Sequence, residues 1–232
     1  DFMSEVYSMI DFVNELFTMK LRILFWVLIS ALFASCAPTR VVAPLEKGVT
    51  QIGVTLGRPR VNDGSLPLVG IYFAKGLSDV KTFYAGAQLT SLYLGTIQLD
   101  GGVVKKIIAP NIMIPGVSWS YGANSFISSR DGAFRLYPET GVNAYWKIGP
   151  HILNISANTW VDPTWFLSDY NKGRILSPSF GAGYRFRYKW IELQAEYKLL
   201  NPTREMHIPQ AYIPSTNGLG GKGWYWGAAL NF

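Results

Sequence analysis

From residue 51 onward, apolar residues alternate with small or polar ones at the two-residue period of a β-strand, and no stretch of helical period competes. The last segment, GWYWGAALNF, places Trp224, Trp226, Ala228, Leu230 and Phe232 on one face and Tyr225, Gly227, Ala229 and Asn231 on the other. Neither charge nor proline blunts this stretch, as either would blunt an exposed sheet edge, so a partner strand or a cover must close it. SPSFGAGYRFRYKWIELQAEYKLLN predicts a hairpin turning at Lys189-Trp190. In that register Arg187 faces Glu192 and Arg185 faces Gln194, within diagonal reach of Glu196, while the other face is free of charge. GAFRLYPETGVNAYWKIGPHILNISANTW repeats the pattern around a turn at Gly149-Pro150, and QIGVTLG, PLVGIYFAKG, KTFYAGAQLT and PGVSWSYGAN are shorter strands of the same kind.

Such alternation fits a soluble sandwich or barrel with its apolar face inward, and equally a transmembrane barrel with that face toward lipid. Three features favour the membrane barrel. Aromatics (Tyr188, Trp190, Trp146, Tyr197, Trp160, Trp224) gather near strand ends as interfacial girdles do; segments reach spanning length; and an aromatic comes last. Bacterial barrels have even strand numbers, short periplasmic turns and longer outer loops. The long connections at 59–66, 162–175 and 202–221 are therefore expected outside, and the short ones at 77–80, 149–150 and 189–190 inside. Nine evident strands break that rule. Reading LGTIQLDGGVV as a separate strand, with Ile97, Leu99 and Val103 outward and Gln98 and Asp100 inward, gives ten. The turn this requires at Ser91–Leu94 is apolar for an outer loop, which leaves eight strands open. The predicted fold class is all-β: a transmembrane antiparallel up-and-down β-barrel of ten strands.

The front of the chain is different. MKLRILFWVLISALFASC has a basic start at Lys20 and Arg22, a short apolar run, and small residues before Cys36, the single cysteine. It reads as an export signal of the lipoprotein type, with Cys36 as the lipidated residue. The expected organisation is upstream sequence outside the functional protein at 1–18, a signal peptide at 19–35, a lipidated tether at 36–50 and the barrel at 51–232. The chain has 232 residues, of which 49% are hydrophobic, 16% charged and 15% aromatic, an aromatic and weakly charged balance for a soluble domain. Without residues 1–35 the formal charge is 19 − 11 = +8, suited to lipid head groups or lipopolysaccharide phosphates. No basic cluster with interleaved stacking residues points to nucleic acid.

The closing strand, through Trp224, Trp226, Leu230 and Phe232, resembles the carboxy-terminal signal strand of Gram-negative outer-membrane barrels. Together with FASCAPTRVVAPLEKG and VNAYWKIG, it resembles small outer-membrane barrel lipoproteins of the Bacteroidota. The resemblance implies an outer-membrane location, insertion by barrel-assembly machinery and no reaction. A barrel of this size is filled by side chains. Arg135, Glu139, Lys147, Arg185, Arg187, Glu192, Glu196 and Lys198 are the expected lumen charges, read as an ion-pair network that plugs it rather than as a selective pore. Asp162, Asp169, Glu205 and His207 could meet at the outer rim as an acid/base set, but they match neither omptin proteases nor lipid A deacylases, and His151 lies at the opposite end. No metal spacing or phosphate loop occurs; GLGGKG lacks a following helix. The expected function is a non-enzymatic structural or accessory subunit of a larger outer-membrane complex for barrel assembly, secretion or nutrient uptake. It needs no cofactor besides the lipid. A rim enzyme acting on lipid or peptide, and a narrow pore, are the alternatives.

Overall fold

The computed structural model describes residues 39–61, 64–65, 67–93, 95–111, 113–129, 132–161, 176–200, 206–208, 211–213 and 221–232. Ten long strands form the wall. They are β1 (Thr50–Val61), β2 (Leu68–Ser78), β3 (Lys81–Gln88), β4 (Thr96–Ile108), β5 (Gly116–Ser128), β6 (Phe134–Ile148), β7 (His151–Val161), β8 (Leu176–Tyr188), β9 (Ile191–Leu200) and β10 (Gly221–Asn231). Each pairs antiparallel with its sequence neighbours, and β10 pairs with β1 from Gln51–Asn231 to Arg60–Lys222, so the sheet closes without an edge. The terminal strand thus has partners on both sides, as its uncharged alternation requires. The backbone of Phe232 completes the seam by exchanging bonds of 2.8 and 3.0 Å with Thr50.

The separate strand expected from LGTIQLDGGVV is β4, and the apolar turn before it is a short helix, α1 (Leu89–Tyr93). Gly149 and Lys189 adopt the left-handed conformation in the turns expected at those positions. The pairing of β8 with β9 sets Arg187 against Glu192 and Arg185 against Gln194, the register that the charge pattern predicts.

Sidedness decides between the two architectures. The outward positions are apolar and exposed, among them Ile52, Val54, Leu56, Ile71, Leu153, Ile155, Leu193, Trp224 and Trp226. The inward ones are buried and largely polar: Gln51, Thr55, Thr82, Ser118, Asn124, Asn143, Asn154, Arg185, Glu192 and Lys198. A soluble barrel has the reverse arrangement, and one with this exterior would offer water a continuous apolar belt. No helix among the described residues is long and apolar enough to cross a membrane. One girdle assignment is corrected. Trp160 shares the inward parity of Asn154, Ser156 and Asn158, and it is buried in the lumen against Phe126 and Tyr137 at centroid distances of 5.8 and 5.7 Å.

The larger departure concerns the expected tether. Thr39–Leu45 runs inside the barrel, with Arg40, Val41, Val42, Ala43 and Leu45 all buried. It enters from the end with the short turns, where Gly48 donates to the carbonyl of Gly76 at 2.8 Å and Gly76 donates to that of Val49 at 2.9 Å. From there it climbs to Glu196, five positions above the start of β9 at Ile191, or about 13 Å for strands of ordinary barrel tilt. Val41 and Leu45 pack with Tyr72, Ala74, Tyr84, Val104 and Ala229, while Val42 and Ala43 pack with Tyr145 and Ile152. An apolar collar therefore grips the segment in the half of the lumen nearest the short turns. The segment lies this close to the wall because Gly76 has no side chain: a Cβ there would stand 2.0 Å from the Glu46 carbonyl oxygen. Gly76→Ala is expected to push the segment off the wall and raise amide exchange at Gly48 by tenfold or more, measured by hydrogen–deuterium exchange on the folded barrel.

Candidate functional site

The lumen is the most elaborately built part of the molecule, and its centre is the buried segment. Six of that segment's backbone groups bond to wall side chains. Arg185, on β8, donates through Nη1 to the Arg40 carbonyl at 3.0 Å and through Nη2 to the Thr39 carbonyl. Ser118 Oγ donates to Val42 O at 2.6 Å and Arg187 Nη2 to Ala43 O at 3.4 Å. In the other direction, the Thr39 N–H donates to Glu196 Oε2 at 3.1 Å and the Leu45 N–H to Thr82 Oγ1 at 2.8 Å. These bonds satisfy polar backbone that would otherwise be costly to bury.

Charge is arranged around this backbone. The Arg40 guanidinium forms a two-point pair with Asp100 on β4, at 3.1 Å from Nε and 2.8 Å from Nη2, and Nη1 donates to Thr55 Oγ1 at 2.9 Å. It also lies over the Tyr72 ring, 5.6 Å from the centroid. Both members of the pair are nearly inaccessible, at 2% and 3% of side-chain exposure, which suits the planar fork of arginine. At the short-turn end Glu192 accepts from both Arg185, at 2.9 Å, and Arg187, and Gln51 Nε2 adds a bond at 3.2 Å. Glu196 accepts from Thr39 Oγ1 at 2.7 Å and Ser156 Oγ at 3.0 Å. A Cβ on Gly181 would stand 2.5 Å from that carboxylate oxygen, so the glycine keeps room for it.

The expected charge set is thus divided by the fold. Arg185, Arg187 and Glu192 come together; Glu196 is turned to the buried segment instead of to Arg185; and Glu139 accepts from Asn124 Nδ2 at 2.6 Å. Lys198 is fully buried; Arg135 lies near the far end of β6, and Lys147 lines the short-turn mouth beside Arg187. Arg40 and Asp100 are the members that sequence reasoning left out. The inward parity of Asp100 was legible, but its partner lay in a segment with no period.

Beside Thr39, Arg40, Tyr84, Asp100, Glu139 and Asn158 there is a cavity of about 20 Å³, room for roughly one water. The Phe126–Tyr137–Trp160 cluster fills part of the lumen toward the long connections. At the short-turn mouth, a recess of about 400 Å³ is lined by Glu46, Lys147, Arg187, Lys189, Trp190 and Phe232, among others.

Cys36, Asp162, Asp169 and Glu205 lie outside the described residues, and for His207 only its place in a short hairpin, Met206–Ile208 with Ala211–Ile213, is described. His151 Nδ1 lies 2.7 Å from the Tyr184 hydroxyl at the short-turn end, with no acidic partner in its hydrogen bonding. Among the described residues, no group of three or more His, Cys, Asp or Glu is placed to hold a metal.

A closed antiparallel barrel, polar within and apolar without, is a barrel of the outer-membrane type. Solved structures of that type align over most of the chain. The N-terminal barrel domain of Pseudomonas aeruginosa OprF aligns at 10% identity over 81% of this chain and 100% of its own, with a TM-score of 0.34. The translocator domain of the autotransporter NalP from Neisseria meningitidis aligns at 11% identity over 96% and 98%, with a TM-score of 0.42. The Escherichia coli outer-membrane protease OmpT aligns at 11% identity over 80% and 93%, with a TM-score of 0.34. No protein-family model matches the chain, and no curated protein matches it significantly.

Proposed function

We propose that this chain is a non-enzymatic barrel of a Gram-negative outer membrane that serves as a structural or accessory subunit of a larger outer-membrane assembly. The observation that carries this reading is the occupied lumen: a barrel whose interior is taken up by its own chain and by paired charges acts through its surfaces. Its apolar exterior supports the membrane location, and the short turns then face the periplasm, where barrel-assembly machinery would receive the terminal strand. Lipid, lipopolysaccharide and a larger membrane protein are the partners this surface suits.

The test is a mild-detergent pull-down from native outer membranes, with the tag in the 202–221 connection so that β10 stays free. A stoichiometric larger membrane protein is the expected result, and a solitary barrel would overturn the accessory role. Intact mass of the same sample tests the lipid expected on Cys36: the Cys36→Ser variant is expected to lose the acyl mass while keeping the folded-barrel mobility on gels.

A further inference from the structure

The wall is complete without the segment inside it. Every long strand has both neighbours, and none of the ladder bonds of the wall involves Thr39–Leu45. The segment is held through side chains, as a bound peptide is held, and it joins β1 through a turn containing Gly48 at φ 86°.

We propose that the lumen is a binding site for an extended peptide bearing one guanidinium group, and that Thr39–Leu45 is its resident, displaceable occupant, a built-in plug whose release opens the barrel. The chemistry has two parts. Arg185, Arg187, Ser118 and Thr82 bond main-chain groups that nearly every peptide possesses, so they set direction and extension but not sequence, while Glu196 takes both the Thr39 N–H and its hydroxyl. The Asp100 carboxylate, with Thr55 and Tyr72 beside it, reads one side chain, and its two-point geometry selects arginine. This division resembles strand-type peptide recognition, in which the backbone supplies affinity and one pocket supplies choice. A segment from another protein with the same chemistry would compete for the site. The inference does not rest on the accessory role: the plugged barrel acts through its surfaces, and release of the plug gives it a second, open state.

The test uses the full chain with a protease-cleavage sequence inserted between Lys47 and Gly48, refolded with the plug in place and cut only afterwards. A fluorescent peptide of residues 39–46, TRVVAPLE, is then added at a temperature at which heat-modifiable gel mobility shows the barrel intact. The expected result is uptake of one peptide per barrel, competition by unlabelled peptide, and at least tenfold weaker binding of the Arg40→Glu peptide. An Asp100→Arg barrel should reverse that preference. In planar bilayers the cut, washed barrel should conduct and the peptide should close it. If the inserted sequence prevents folding, Arg40→Glu in the uninterrupted chain faces Asp100 with a like charge, and it should give the same conductance. A cut barrel that stays closed and takes up no peptide, binding indifferent to residue 40, or an Arg40→Glu barrel that stays closed would each overturn the proposal.

Discussion

Glu192→Gln should be among the most destabilising single substitutions in the wall, costing about 3–5 kcal/mol in urea unfolding of the detergent-refolded barrel. The side chain keeps its shape but leaves the buried Arg185 and the half-buried Arg187 side by side without their counter-charge. The double substitution Glu192→Gln with Arg187→Gln removes one of the two cations and should recover part of the loss. The reason is that Arg185 still has the carbonyls of Thr39 and Arg40 to donate to. A cost under 1 kcal/mol for the single change would mean that water reaches this end of the lumen and that the plug is not seated as described.

The second large effect tests the solvent outside. Ile155 is exposed and lies midway along β7. Arginine at this position should destabilise the barrel by about 2–4 kcal/mol in lipid vesicles, the cost found near a bilayer midplane, and more weakly toward either rim. Ile148, at the short-turn end of β6, is as outward-facing and provides the control. Equal, small costs at both positions would remove the membrane reading, whatever the shape of the barrel.

What the sequence made legible follows from which interactions leave a period. The β8–β9 register could be read because ladder geometry places Arg187 against Glu192, and alternation keeps Leu193, Ala195 and Tyr197 on the other face. The tenth strand could be read by the same parity, although its connection was unusually apolar. The plug could not. Its backbone bonds go to side chains scattered over β3, β5, β8 and β9, so APTRVVAPLEKG carries no repeat, and Arg40 looks like any solvated cation until Asp100 is brought to it. The expected diagonal contact of Arg185 with Glu196 fails for the same reason: the plug takes Glu196, which leaves Arg185 to Glu192. Trp160 differs in kind: its parity in the sequence is inward, whereas its place near a strand end points to an interfacial girdle, and the parity prevails.

The position of the plug also orders events in time. The ring is closed by Gln51 against Asn231, residues separated by most of the chain, and contacts so distant in sequence form late. Thr39–Leu45 leads β1, so it is already tethered to the first wall strand while the last is still being paired. If it settles into the unfinished sheet before β10 arrives, Arg185, Glu196 and Asp100 have their partners before they lose water, and the final seam shuts around a core that is already neutralised. Mutations that loosen the plug would then slow closure as well as open the lumen, a kinetic signature that a plug threaded in after closure would lack.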